Sequence, residues 1–458
     1  MSEQNGLRER PYRRARRSRT PWLVVALAVV LGAGAGVAVA AQQGRLPWDE
    51  SAAARSTAQT GAPSPSAPSR ATSTPQTPSA PATTSTAPPS QTPTATDATF
   101  TILAAGDVLP HLPVDVSART SSGGYDFSPL LSGLDTWVQG ADLAICHFEV
   151  PVAPKGTEPS GYPMFGAPPE VVRDLGEQGW DGCSTASNHS VDRGFAGIQA
   201  TSKAFDKYGL GHAGTFRTES DSTQPQLYEL ERGGQTITVA HISAAYGTNG
   251  LPVPSAQPWS VDLIDTDAIV AQARQARADG ADLVVVSIHA GTEYVTEPTQ
   301  QQKDVDQALA DSGEVDLVIG HHAHVPQRIV RLKGGTDGKG MWVAYGLGNM
   351  ISNQDSACCS PKTDSGLMMI ATVDKPVDGP AHVSGVEWEA ITVDRRGGHR
   401  VYAFTDVIDD PAGVGTLSHA ELERRYARVA DAVGTKAPEA TKPPVATGEP
   451  PAVVKRSK

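Results

Sequence analysis

Six short runs, Phe100–Ala105, Leu143–Cys146, Thr236–Ile242, Leu283–Ile288, Val315–Ile319 and Met341–Ala344, are almost continuously apolar. A strand with one wet face alternates in polarity, so runs of this kind belong to strands covered on both faces. Helical patterns fill several of the intervals. Glu170–Gln178 follows Pro168-Pro169, and Phe195–Tyr208, Thr266–Asp279 and Thr299–Ser312 each stop before a glycine. Proline near the start and glycine just past the end are the expected helix punctuation. Alternation of strand and helix predicts an α/β fold with largely parallel pairing. Leu367–Val373, Val383–Val393 and Val401–Ile408 follow without helices between them, so the sheets should finish antiparallel. Ser418-His419-Ala420-Glu421 reads as a capping box opening a last helix to about Val433.

The folded domain is expected over residues 99–434, with different material on either side. Seven arginines against two glutamates leave residues 1–20 at +5, and since the whole chain is −12, the remainder carries −17. Trp22 to Ala41 contains no charge and is long enough to span a bilayer as a helix. Arginines on its N-terminal flank place that end in the cytoplasm and the rest of the chain outside. Residues 21–41 therefore read as a membrane anchor; Ala38-Val39-Ala40 offers the alternative of a cleaved signal peptide, and export follows either way. Between Ser51 and Ala98 there is no Val, Ile, Leu, Met or aromatic residue, so residues 42–98 are expected to be a disordered, partly extended spacer. Residues 435–458, rich in Pro and Lys, are expected to be a frayed tail. The acidic balance argues against nucleic acid as a partner, which would call for a basic face.

Cys146, Cys183, Cys358 and Cys359 are the only cysteines. Outside the cell oxidation is permitted. Cys146 and Cys183 stand near the ends of neighbouring predicted strands and either pair or remain buried thiols. Cys358 and Cys359 are expected to bridge elsewhere or not at all, in preference to a vicinal ring, and no CxxC spacing supports a zinc knuckle.

Ligands of open α/β sheets bind beyond the carboxyl ends of the strands. Here those positions carry Asp107; His147 and Glu149; Asn188, His189 and Asp192; His289 and Glu293; His321, His322 and His324; and Asn349. Taken singly, a Gly-Asp is commonly a turn, Asn-His a hydrogen-bonded pair and a strand-end His a satisfied core residue. Together they supply what two adjacent divalent cations need. A carboxylate bridges the cations, while imidazole and amide oxygen fill the outer positions without adding negative charge. Two such metals clamp a phosphoryl group and generate a nucleophile at neutral pH.

The stretches AAGDVLPH, ADLAICHFEVPV, STASNHSVDRGFAGIQAT, GHAGT, IHAGTEYVTEPTQQQ, VDLVIGHHAHVPQRI and VAYGLGNMISN, in that order from about Thr99 to Asp410, resemble the poly-γ-glutamate capsule synthesis (CapA) family, a branch of the calcineurin-like metallophosphatases. The resemblance implies a four-layer α/β/β/α sandwich of the metallo-dependent phosphatase type, with the ligands at one edge of the paired sheets. It implies metal ligation, by Mn, Fe or Zn, through Asp107, Glu149 as the bridging carboxylate, Asn188, His289, His322 and His324. His189 would face the leaving group as acid or charge stabiliser, with Asp192 orienting it, and Glu293 and Asn349 would line the pocket. The chain departs from the pattern in two places. His147 replaces the usual Asn two positions before Glu149, as a stand-in donor or an added ligand. Asp-x-His is also absent, with Asp107-Val108-Leu109 followed by His111 two positions later. His321 is expected to pack or hydrogen-bond behind its neighbours. The implied role is either a surface-anchored metal-dependent hydrolase acting on a phosphoester or envelope polymer, or a non-catalytic factor assisting export or tethering of an anionic polymer beside capsule synthase partners. Lys303, Arg328 and Arg331 are the cations considered for holding such a polyanion, against the plainer reading of solvated surface charge.

Overall fold

The computed structural model describes residues 95–456. The basic segment, the expected anchor or signal sequence and nearly all of the expected spacer lie outside the described residues. Among the described residues no helix is long and apolar enough to cross a membrane.

The chain builds two sheets by crossing between them. Strands β1 (Ala98–Val108), β2 (Leu143–Phe148), β3 (Gly182–Ser184) and β4 (Gly211–Ala213) start the first sheet. The second is made from β5 (Gln226–Arg232), β6 (Gln235–Ala245), β7 (Leu283–His289), β8 (Leu317–His321), β9 (Ile329–Leu332) and β10 (Met341–Ala344). The chain then returns to the first sheet through β11 (Asn349–Ile351), β12 (Ser365–Lys375), β13 (His382–Asp394) and β14 (Arg400–Ala403), and ends with β15 (Ala452–Val454) on the second. The first sheet runs β14-β13-β12-β1-β2-β3-β4, with β11 also on β1; the second runs β15-β5-β6-β7-β8-β10-β9. Pairing is parallel from β1 to β4 and from β6 to β8, and antiparallel through β12, β13 and β14, as the apolar runs predict.

Packing explains those runs. On β1, Phe100, Ile102 and Ala104 enter an apolar layer shared with Val239, Val285 and Leu317 of the other sheet. Leu103 and Ala105 point the opposite way, against Val172, Leu175 and Phe205 of helices Glu170–Gln178 and Gly194–Tyr208. Val284, Val286 and Val318 likewise meet helices Thr266–Ala278 and Gln300–Ser312. With period two and both faces covered, every position must be apolar. The result is a mixed α/β fold in which two sheets face each other and helices cover their outer sides.

Several expectations are corrected. The glycine in Leu317–His321 does not end that strand. Gly320 lies inside it because a Cβ there would collide with the Tyr345 carbonyl, and His321 is the last strand residue. The expected strand to Ile408 stops at Ala403, where the buried Glu389 carboxylate accepts from the N–H (2.9 Å) and hydroxyl (3.1 Å) of Thr405 and turns the chain into the short helix Phe404–Val407. Ser418 accepts from the Glu421 N–H as expected of a cap, but the Glu421 carboxylate turns to Arg424 and Arg425 instead of closing the box. Order begins before Phe100: β1 starts at Ala98, and the Thr96 N–H donates to Gly233. Cys146 and Cys183, register partners on β2 and β3, are joined as a disulfide. Cys358 and Cys359 pair with each other, contrary to expectation.

The tail is not frayed. Its strand β15 covers the edge of β5, and the Trp388 carbonyl accepts from the Ala440 N–H. Asp142, buried with Arg232, accepts from that guanidinium (2.9 and 3.0 Å) and from the N–H and hydroxyl of Thr447 (2.7 and 2.8 Å). A polar segment can be ordered without an apolar core of its own when an unpaired sheet edge and a buried ion pair need partners. Asp142→Ala strands the Arg232 charge and is expected to cost about 3–5 kcal/mol of unfolding free energy, read from denaturant midpoints.

A second buried acid makes stability depend on pH. Asp115, in helix Leu112–Ser117, has neither carboxylate oxygen hydrogen-bonded, and burial pushes its carboxyl up to about 8 despite the nearby Arg119. Its pKa in the unfolded chain is ~3.9, so its contribution to stability is complete below that pH and is lost as pH rises to about 8. Asp115→Asn should therefore leave stability at pH 4 unchanged and raise it at pH 8 by on the order of a few kcal/mol, measured by denaturation at the two pH values.

Candidate metal centre

Parallel strands bring their carboxyl ends to one edge, and in both sheets that edge carries the polar residues. Asp107 is the register partner of His147 across β1 and β2, and also of Asn349 on β11. His147 pairs in turn with Ser184, and across β7 and β8 His289 pairs with His321. β1 reaches Asp107 through Gly106, where a Cβ would strike the Gly348 carbonyl, and there it exchanges β12 for β11 as its neighbour. These residues are on strand ends, so sheet hydrogen bonding holds their backbones.

Beyond β8 the backbone is strained. His322 (φ 86°) and His324 (φ 56°) both take left-handed conformations, as does Tyr294 (φ 69°), whose N–H donates to the Ala323 carbonyl at 2.8 Å. Non-glycine residues are held in that region only when their surroundings require it.

The structure brings all six expected ligands together. Donor atoms of Asp107, Glu149 and His324 lie within 4.8 Å of one another, as do those of Glu149, His289 and His322. Glu149 is common to both sets, the position a bridging carboxylate would hold. The same spacing joins Asp107, His147 and His289, and also Glu293, His322 and His324. Asn188 places Oδ1 2.8 Å from His289 Nε2, and its amide nitrogen donates to Asn249 Oδ1 at 3.1 Å. His147 thus has ligand geometry, with Nδ1 2.7 Å from the Ser184 hydroxyl and Nε2 free of hydrogen bonds. His321 stacks on His147 with ring centroids 4.1 Å apart, and its Nδ1 is 3.4 Å from Asp107. Glu293 is exposed at the rim. Asn349 orients a neighbour: its Oδ1 is 3.0 Å from His324 Nδ1, and its amide donates to Gln354 and Thr363.

Charge balance tests whether cations fit this donor set. Both oxygens of Asp107 and of Glu149, Nε2 of His147, Nδ1 of His289 and of His322, and both ring nitrogens of His321 are buried without hydrogen-bond partners. Each such atom costs about 1–3 kcal/mol, and more for a charge, unless something else satisfies it. Burial pushes the His322 imidazole down to about 3 and those of His147 and His289 well below their usual value, so these rings are neutral, as metal ligands must be. Burial opposes charge on His324 too, but Glu149 and Asp107 outweigh it and lift it to about 9. Burial pushes Glu149 well above the ordinary carboxylate range; against the same force, His321 and His324 hold Asp107 below it. Hard carboxylate oxygens and borderline imidazoles around unpartnered positions suit Mn, Fe or Zn.

His189 is set apart from the ligands. Its Nδ1 lies 2.7 Å from Asp192 Oδ2, which also accepts from the Phe165 N–H at 2.8 Å. The Phe165 ring stands edge-on to the imidazole, with centroids 4.7 Å apart. Sequence reasoning missed the wall formed by Tyr246 and Asn249. Tyr246 lies 4.6 Å from His322, between centroids, and Asn249 holds Asn188. Both follow Thr236–Ile242, where the rule of inspecting each strand end would have found them. The three cations considered for a polyanion are occupied elsewhere: Lys303 and Arg328 pair with Glu297, and Arg331 lies over Trp342.

Residues 101–354 match the bacterial capsule synthesis protein family PGA_cap, and the chain belongs to that family. It is 30% identical over 188 residues to the capsule biosynthesis protein CapA of Bacillus anthracis, covering 40% of this chain and 43% of that protein. It is 29% identical over 185 residues to the PGA biosynthesis protein CapA of Bacillus subtilis (strain 168), covering 40% of this chain and 46% of the relative. The matched region thus spans less than half the length of either relative. Among solved structures, the NAD nucleotidase NadN of Haemophilus influenzae aligns with a TM-score of 0.42 at 11% identity, over 74% of this chain and 57% of that one.

If these donors hold metal, His322→Ala combined with His324→Ala should leave the purified protein with little or none by elemental analysis, while a surface change such as Lys303→Ala leaves the content intact. Normal metal in the double variant would rule the assignment out.

Proposed function

We propose that this chain is a divalent-metal-dependent hydrolase of the cell envelope, of the metallophosphatase type, acting on a phosphoester or on a capsule polymer of the poly-γ-glutamate kind. The observation that carries the reading is the pair of buried carboxylates, Asp107 and Glu149, whose oxygens have no hydrogen-bond partner and face imidazoles kept mostly neutral. The names of the Bacillus relatives support the capsule context. The charge-free stretch from Trp22 to Ala41 supports attachment to the membrane with the domain outside, and a capsule synthase is the natural partner there.

Asp107, Glu149, Asn188, His289, His322 and His324 would hold the metals, with His147 a further donor. Metal bound there would polarise the scissile group and make water nucleophilic at neutral pH. The chain's own residues supply the rest. Asp192 fixes the His189 ring through Nδ1, leaving Nε2 to hold or deliver a proton at the leaving group. Phe165 packs against that ring and keeps water from one side of it. Asn249 steadies Asn188, so that its amide oxygen stays directed at the His289 ring.

His189→Ala should keep its metal and lose about 10²–10⁴-fold in turnover of an aryl phosphate. Equal rates for variant and parent would remove His189 from the chemistry. A metal-loaded protein that hydrolyses neither aryl phosphate nor poly-γ-glutamate would favour the non-catalytic role in export or tethering.

A further inference from the structure

His111 belongs to no donor set described above, yet it stands against the same phenyl ring as His189. Its ring stands edge-on to Phe165, centroids 5.1 Å apart, on the same phenyl group that packs against His189. It is electrostatically coupled to both His189 and His324 and remains partly open to solvent.

The hydrogen bonding at its other end defines what the ring can offer. Nδ1 lies 3.0 Å from the Leu109 carbonyl oxygen, which can only accept, and 3.4 Å from the Asn353 N–H. The shorter contact assigns the proton to Nδ1. Nε2 is then a lone pair, and it has no hydrogen-bond partner among the described residues. Burial, with His324 and His189 nearby, pushes the imidazole down to about 4 and keeps it neutral. The ring is also held firmly. His111 precedes helix Leu112–Ser117, and its carbonyl accepts from Val114 and Asp115. Asn353 is fixed in turn by Arg395 and His399, each 2.9 Å from its Oδ1. A neutral, immobilised acceptor beside a reacting group selects for a donor on the substrate and rejects an analogue lacking it.

We propose that His111 is a substrate-binding residue whose Nε2 accepts a hydrogen bond from an N–H or O–H adjacent to the scissile group, so that the site prefers a hydroxyl- or amide-bearing chain to a bare aryl phosphate. The inference rests on the hydrolase reading and narrows its substrate class.

The experiment compares p-nitrophenyl phosphate, whose leaving group carries no donor, with glycerol 2-phosphate, whose hydroxyls flank the ester, using the full-length metal-loaded protein. His111→Asn retains a side-chain N–H for Leu109 but lacks the second nitrogen, whereas His111→Gln extends an acceptor toward its place. His111→Asn should lose about tenfold in kcat/KM for glycerol 2-phosphate, the size of one neutral hydrogen bond, with p-nitrophenyl phosphate unchanged within about twofold. His111→Gln should recover part of the loss. Calorimetric binding of glycerol 2-phosphate to His189→Ala protein should weaken about tenfold when His111→Asn is added. Equal losses on both substrates would assign His111 a purely structural role, and no loss on either would remove it from the site; both overturn the inference while the hydrolase reading stands. A parent protein that turns over neither substrate overturns the hydrolase reading and this inference with it.

Discussion

Asp107 and Glu149 are completely buried at the shared edge of two sheets, and among the described residues their carboxylate oxygens have no hydrogen bond of good geometry, the nearest cation being the His324 imidazole 3.1 Å from Asp107. Burying an uncompensated carboxylate is among the most expensive arrangements a fold can contain. The surrounding imidazoles answer it only in part: burial keeps His147, His289 and His322 neutral, and His324 alone is raised by the two carboxyls. Cations between the donors, as proposed, would offset the remainder. On the proposed reading, folding and metal binding would be coupled through these two residues, since the sheets must close to gather the donors and the gathered donors are unfavourable alone.

Rigidity at the centre comes from register. Asp107, His147, His289 and His321 are strand residues, so their relative positions follow from ladder pairing and not from loop conformation. Gly106 and Gly320 permit this by letting backbone carbonyls approach within the space a Cβ would fill. The His322 and His324 backbones are the complement: left-handed φ values take the chain out of the regular strand pleat just beyond β8. Strain at these two residues, shared by Tyr294 and Asn249 beside them, is the pattern of a site whose geometry matters more than its local stability.

The loops extend the centre outward by polarity. His189 is tied to Asp192, and His111 to Leu109 and Asn353, so each imidazole has Nδ1 anchored and Nε2 without a hydrogen bond among the described residues. Lys303, Arg328 and Arg331, the cations considered for a polyanion, are held elsewhere by Glu297 and Trp342. The tail contributes at the far margin, where it caps the β5 edge and satisfies Asp142.

Much was legible from the sequence because it is encoded locally. Doubly covered strands need unbroken apolar runs, helix ends need their proline and glycine, and ligand residue types recur where parallel strands stop, so the α/β alternation and the polar strand ends could be read before any fold was known, while the choice of six metal-binding candidates among them came from the resemblance to the CapA family. Strands β4 and β11 are too short to carry a period, and β5 alternates as Gln226–Arg232 in a way that was readable but overlooked. The ordered tail was not legible, since its apolar content is low and its order comes from partners contributed by distant elements. Nor could spacing say that His147 stands with Asp107 and His289, that Asn349 serves His324, or that His111 shares Phe165 with His189. Composition and periodicity specify what each segment must bury; only closure of the two sheets decides which donors meet, because those distances are set by register and packing between residues far apart in the chain.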